Sequence, residues 1–166
     1  MSKRYFLSRK GLDALHFQQS NLIDDLSEST RAMGRSASLD NDLRENPEFM
    51  QLRTRVTYEI PVKLAEIQAV LNTHILIEKT EAVRANIFDE VLPGMDVEIE
   101  SQEGETRKFS IMGYGEGNPT HGVISYLSPV GAALLYKEVG DEVYLPNKGK
   151  RVIYEIVKIT RSVWLD

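Results

Sequence analysis

The sequence contains no cysteine, which excludes disulfides, thiolate zinc sites and cysteine nucleophiles. It has no apolar run near the roughly 20 residues that span a bilayer. The start, Met1-Ser2-Lys3-Arg4-Tyr5-Phe6, lacks the long apolar core of a signal peptide. These absences lead us to expect a cytoplasmic protein with no membrane partner. Histidine is scarce too: His16, His74 and His121 are widely spread, without the i, i+4 spacing of a metal site. The first two read as residues of a helical stalk and the third as loop. Nor is there an excess of positive charge. A formal charge of -5 argues against nucleic-acid affinity driven by the whole molecule, while leaving room for a local basic patch.

What is present is organised in two styles. A hydrophobic content of 42% in 166 residues supports one or two domains. Ser8 can cap a helix over residues 8–38, in which Leu12, Leu15, Leu22, Leu26 and Met33 follow a three-four spacing. Gln19 and Ser29 occupy the intervening seam positions. So narrow an apolar stripe needs a single partner helix. That partner starts past an acidic turn, with Asn46 as N-cap and Pro47 at the first helical position. Phe49, Leu52, Val56, Ile60, Leu64, Ile67 and Leu71 carry its stripe toward residue 77. Pro61 falls inside the run and is expected to bend or break the helix. Two helices joined by a short turn pack antiparallel, with arms roughly 40 Å long. Polar residues in the seam make reach, rather than stability, the reason for that length.

Periodicity is lost over residues 79–94, which read as a linker closed by Pro93-Gly94. Beyond it come short alternating runs: Val97 and Ile99, then Phe109 and Ile111, with Glu103-Gly104-Glu105 as a hairpin turn. A further strand is expected around Val123-Ile124-Ser125-Tyr126. Ser128-Pro129 opens a short apolar helix over residues 130–137, and two more strands complete an α+β domain over residues 95–166. The helical hairpin then occupies residues 1–78, with its acidic tip at 40–48. The glycines Gly113, Gly115 and Gly117 lack both the spacing and the following helix of a phosphate-binding loop, and read as a flexible connection. Ser125 and Ser128 read as structural, one in a strand and one capping a helix.

Two stretches bear on function. Arg31, Arg35, Arg44, Arg53 and Arg55 gather near the turn. They form either a solvated face paired with nearby acids or a strip that tracks a phosphate backbone. The turn itself carries four carboxylates: Asp40, Asp42, Glu45 and Glu48. Acids are favoured at helix N-termini by capping and the macrodipole, which alone would account for them. The alternative is a hard-cation site. Asp42 and Glu45, three residues apart, are too few to cage Mg²⁺, so they would act only when brought to a second site supplying the other ligands.

Asp42-Leu43-Arg44-Glu45-Asn46-Pro47-Glu48-Phe49 resembles the tip motif of the bacterial Gre transcript cleavage factors, D-L-[SK]-E-N-A-E-Y. Ile124-Ser125-Tyr126-Leu127-Ser128-Pro129-Val130-Gly131-Ala132-Ala133-Leu134-Leu135, followed by Lys137-Glu138-Val139-Gly140-Asp141, resembles the C-terminal signature of the same family. Leu7-Ser8-Arg9-Lys10-Gly11-Leu12 and Phe109-Ser110-Ile111-Met112-Gly113-Tyr114 extend the resemblance over almost the whole chain. Asn41, Pro47 and Ser38 stand where the family usually has glycine, alanine and arginine.

The resemblance implies an antiparallel coiled-coil hairpin followed by an FKBP-like domain, and a monomeric accessory factor rather than an enzyme. That domain would dock on bacterial RNA polymerase through a region including Ser128 and Pro129, and the hairpin would enter the secondary channel. Asp42 and Glu45 would help hold Mg²⁺ in the polymerase active site, supported by Asn46, Glu48 and Phe49. The result would be hydrolysis of a backtracked transcript near the nascent RNA 3′ end. A Gre-like regulator that occupies the channel without promoting cleavage is one alternative. An interaction module unrelated to transcription is another.

Overall fold

The computed structural model describes residues 3–39 and 42–165; Asp40 and Asn41 of the acidic stretch lie outside the described residues. The chain divides into two compact units, one formed by Asp13–Asn72 and the other by the residues up to Leu12 together with those from Thr73 onward.

The first of these is a helical hairpin. Helix α1 (Arg9–Leu39) starts in the sheet unit and runs about 45 Å, at 1.5 Å per residue. Its stripe of Leu15, Gln19, Leu22, Leu26, Ser29, Met33 and Ser36 is buried or half-buried, as the three-four spacing requires. The return arm is α2 (Pro47–Thr54), a π turn (Arg55–Glu59) and α3 (Ile60–Thr73). Three polar contacts fix an antiparallel register: Ser36 with Asn46, Asp25 with Arg55, and Gln19 with Gln68. Gln19 therefore donates across the seam instead of packing there, over 3.0 Å.

The π turn is what Pro61 produces in place of the expected bend or break. A proline ring inside an α-helix collides with the carbonyl four residues back, here that of Thr57, and offers no N–H. Widening the preceding turn gives room, and the Ile60 N–H donates to Arg55 O, five residues back. A π turn holds an extra residue, which explains why Val56, Ile60 and Leu64 are spaced by four and four.

The return helix, expected to reach residue 77, stops at Thr73. His74, read above as a stalk residue, begins strand β2 (His74–Leu76), which pairs in parallel with β1 (Tyr5–Leu7). The stretch 79–94 is likewise no linker. It follows a 3₁₀ turn (Ile77–Lys79), includes α4 (Glu81–Ala85), and buries Val83 and Val91 in the sheet unit.

That unit is built on a five-stranded sheet in the order β5-β4-β3-β7-β6. The strands are β3 (Met95–Ser101), β4 (Thr106–Met112), β5 (Val123–Ser125), β6 (Glu142–Asn147) and β7 (Lys150–Arg161). All neighbours are antiparallel except β4 and β5. Met95, Val97 and Ile99 alternate onto one face with Phe109 and Ile111, and α5 (Pro129–Leu134) closes this core with Leu134. A bulge at Glu98/Ile99 lets β7 present both Ile156 and Ile159 to that core, three residues apart. The opposite face carries a second, smaller core of Met112 and Val123 with Ile77, Val83 and Leu165. On that face Asp96 is buried, accepting a hydrogen bond from the Ser110 hydroxyl (2.5 Å) with Lys108 Nζ 3.5 Å away.

The glycine-rich loop is anchored rather than flexible. Glu116 accepts hydrogen bonds from the Ser8 N–H (2.9 Å), the Ser8 hydroxyl and the Gly113 N–H (3.0 Å). The Tyr114 N–H donates to Phe6 O over 2.8 Å. Ser8 also caps α1 through the Gly11 N–H, and Glu78 accepts from the Arg9 N–H. Among the described residues, no helix is long and apolar enough to cross a membrane.

Candidate functional site

The tip is assembled by local chain chemistry. Asn46 has an extended backbone, and its Oδ1 accepts from the Phe49 N–H over 3.1 Å, the geometry of an N-cap. Pro47 follows at the first helical position, where its missing N–H costs nothing. Asn46 is nevertheless buried, and its Nδ2 donates to the hydroxyl (2.9 Å) and carbonyl (3.3 Å) of Ser36. One side chain thus caps the return helix and ties it to the end of α1.

Asp42 and Glu45 lie before the cap, in a turn closed by the Glu45 N–H on Asp42 O at 3.2 Å. Both are exposed. Asp42 Oδ1 accepts from the Arg44 N–H over 3.1 Å. The helix begins at Pro47, as the capping residues led us to expect, and the acid in its first turn is Glu48. Since Asn46 fills the cap, capping does not account for Asp42 or Glu45. Glu48 faces back toward Ser36, with its Oε2 3.5 Å from the Ser36 hydroxyl, and Phe49 is half-buried.

Of the five arginines, three are committed to acids. Arg35 pairs with Glu28 at 3.1 Å and Arg31 lies 3.9 Å from the same carboxylate. Arg55 pairs with Asp25, which also accepts from the Ser29 hydroxyl at 3.0 Å, and lies 3.9 Å from Glu59. The Arg55 guanidinium, and after it the Ser29 hydroxyl, hold the Asp25 carboxyl below its usual value; Asp25 in turn raises Arg55. The side chains of Arg44 and Arg53 make no ion pair among the described residues. Arg31, Arg35 and Arg55 thus stand against acids, while Arg44 lies within the turn and Arg53 in the last turn of α2.

Among the described residues no three His, Cys, Asp or Glu side chains gather to hold a metal ion. The tip offers two exposed carboxylates, hard oxygen donors suited to Mg²⁺ but short of its six ligands. The Ser128 hydroxyl is occupied in the fold: it caps α5 through the Gly131 N–H (3.1 Å) and donates to Ser125 O (2.7 Å). Beside it Pro129 and Leu127 are exposed. Sequence reasoning did not single out Ser36, Glu78 or Glu116. Ser36 was findable as the next heptad position, seven residues after Ser29.

Taken together, these features define a two-unit protein in which a helical hairpin presents an acidic turn and an α+β unit carries the start of the first helix. Residues 85–161 match the family described as transcription elongation factor, GreA/GreB, C-terminal. The chain is 33% identical over 156 residues to the transcription elongation factor GreA of Desulfovibrio desulfuricans, covering 93% of this chain and 92% of that protein. It is 35% identical over 133 residues to GreA of Solidesulfovibrio magneticus, covering 75% and 74%. Among solved structures it is similar to the transcription factor Gfh1, at 22% identity and a TM-score of 0.46, covering 96% of this chain and 99% of that one.

The chain belongs to the GreA/GreB family of transcription elongation factors. Members of this family are accessory factors that act with RNA polymerase, not enzymes in their own right. The reading as a module unrelated to transcription is thereby set aside.

Proposed function

We propose that this protein stimulates cleavage of backtracked RNA by the polymerase active site, through Asp42 and Glu45. The observation that carries the reading is the position of these two acids. They stand exposed in a turn at the closed end of a hairpin, ahead of a helix cap that another residue already fills. The helix cap is made by Asn46 and uses neither of these carboxylates.

In this reading the hairpin carries the turn into the secondary channel, and the factor acts as a monomer in the cytoplasm. Mg²⁺ shared with the polymerase would activate the attacking water and stabilise charge at the phosphate. The chain's own part is to supply oxygens from Asp42 and Glu45. Asn46 fixes the angle at which the turn leaves the helix, and Arg44 and Arg53 offer positive charge to the nascent RNA 3′ end. The exposed surface at Leu127 and Pro129 supplies polymerase contact.

Adding the protein to stalled, backtracked polymerase complexes is expected to accelerate RNA shortening. Asp42→Ala combined with Glu45→Ala should abolish the acceleration while binding persists. A double variant as active as the parent would overturn the assignment. Arg44 motivates a second reading, because a cation inside the turn competes with Mg²⁺ for the same carboxylates. Polymerase binding without cleavage at any Mg²⁺ concentration would favour a regulator that only occupies the channel.

A further inference from the structure

The contact between Ser36 and Asn46 is more than a cap. Asn46 uses its oxygen on the Phe49 N–H and its nitrogen on both the hydroxyl and the carbonyl of Ser36. Each of the two side chains is buried, Ser36 to 3% exposure and Asn46 to 8%. Ser36 also occupies a seam position of α1, where an apolar residue would pack better against the return arm. A buried hydroxyl and a buried amide at one point of the seam cost desolvation unless they meet, and they meet only in one register. The segment between them, residues 37–45, includes Asp42 and Glu45. The pair therefore closes that segment like a clasp and sets where Asp42 and Glu45 stand relative to both helix ends.

We infer that Ser36 is a positioning residue for the tip, acting through Asn46 to hold the Asp42–Glu45 turn in one geometry. The role rests on the proposed function only where it touches cleavage; the clasp itself is a property of the free protein. A one-ångström displacement of a catalytic group is enough to cost large factors in rate, so a clasp at the base of the turn controls the maximal rate rather than affinity for polymerase.

Two variants separate clasp from cap. Ser36→Ala removes the hydroxyl acceptor and leaves the cap intact. Asn46→Ser keeps an N-cap of comparable quality but does not reach Ser36. In the free protein, amide NMR signals of Leu43, Arg44 and Glu45 are expected to shift or broaden in both variants, more in Asn46→Ser, which also loses the contact with the Ser36 carbonyl, and the combined variant should match Asn46→Ser alone. In the cleavage assay, each should lower the maximal rate about tenfold, the scale of one buried hydrogen bond. The factor concentration for half-maximal effect should stay unchanged.

A merely structural role would leave the turn amides alone or weaken binding instead, and either result overturns the inference. So does a maximal rate equal to the parent's. If the parent itself fails to stimulate cleavage, the proposed function falls, and the turn amides alone decide on the clasp.

Discussion

Glu116 and Gly11 offer a test whose outcome the packing dictates. Three donors converge on the Glu116 carboxylate: the Ser8 and Gly113 N–H groups and the Ser8 hydroxyl. Ser8 and Gly113 are both buried. Glu116→Ala leaves two buried backbone donors without a partner. At about 1–3 kcal/mol each, less what water recovers in the vacated space, the loss should be about 3 kcal/mol. Gly11 lies against the same carboxylate, and a Cβ placed there would stand 2.3 Å from Glu116 Cδ and 2.5 Å from Oε1. Gly11→Ala must therefore expel Glu116, and should cost about as much as deleting it. The three nearest heavy atoms all belong to that one side chain. In the Glu116→Ala background the clash disappears, and alanine in a helix is better than glycine by about 0.5–1 kcal/mol. The double variant is thus expected to be no less stable than Glu116→Ala alone. Urea unfolding followed by the fluorescence of Trp164, the sole tryptophan, reports on this unit. Additive losses from the two substitutions would refute the reasoning.

Other consequences can be checked alongside. Gly113→Ala should destabilise the same unit even without Glu116, because its Cβ would also lie 2.4 Å from Phe6 O and 2.8 Å from Leu7 Cα, backbone atoms that cannot swing away; the same fluorescence titration measures it. Leu134→Ala, at a fully buried site in α5, should cost about 2.7–5 kcal/mol by urea unfolding. The Asp25 carboxyl is held low by Arg55 and Ser29, so its stabilising effect on the hairpin is complete above the ordinary carboxylate pKa and is lost as pH falls through the depressed one. Helicity of the parent, followed by circular dichroism, should therefore become more sensitive to heat in acid, and Asp25→Asn should flatten that dependence.

The hairpin was legible because its signals are local and repeated. Heptad spacing placed both arms, and Ser8, Asn46 and Pro47 marked the helix starts by capping chemistry that the structure reproduces. Strand alternation found β3, β4, β6 and β7 for the same reason. The three-residue β5 stood out between turn signals, whereas β1 and β2, equally short, each adjoin a long helical stretch and were missed, and residues up to 77 read as more of the helical stripe. Val83 and Val91 lie in a stretch without periodicity because they pack singly against a sheet formed later in the chain. Pro61 announced a disturbance, but not that one extra residue would absorb it. At the tip, the residues Asp42 and Glu45 were legible from their spacing and from the resemblance. The hydrogen bonds that shape their turn, from the Glu45 N–H to Asp42 O and from the Arg44 N–H to Asp42 Oδ1, were not. Ser36 went unnoticed because a lone serine in a seam resembles Ser29, which serves Asp25 instead.

The π turn at Arg55–Glu59 has a consequence for how this sequence can change. Pro61 requires a widened turn before it, and the widened turn requires an additional residue to keep Ile60 and Ile67 buried. Deleting one of the exposed residues Thr57 or Tyr58 would restore an ordinary helix that Pro61 cannot occupy. Replacing Pro61 alone would free the turn to rewind and rotate everything between it and Asn46 by about 100° per residue gained, turning the tip away from its partner arm. Each change is harmful singly and tolerable only together. The widened turn and the proline are thus coupled in the hairpin: removing one is expected to be tolerated best when the other is removed with it.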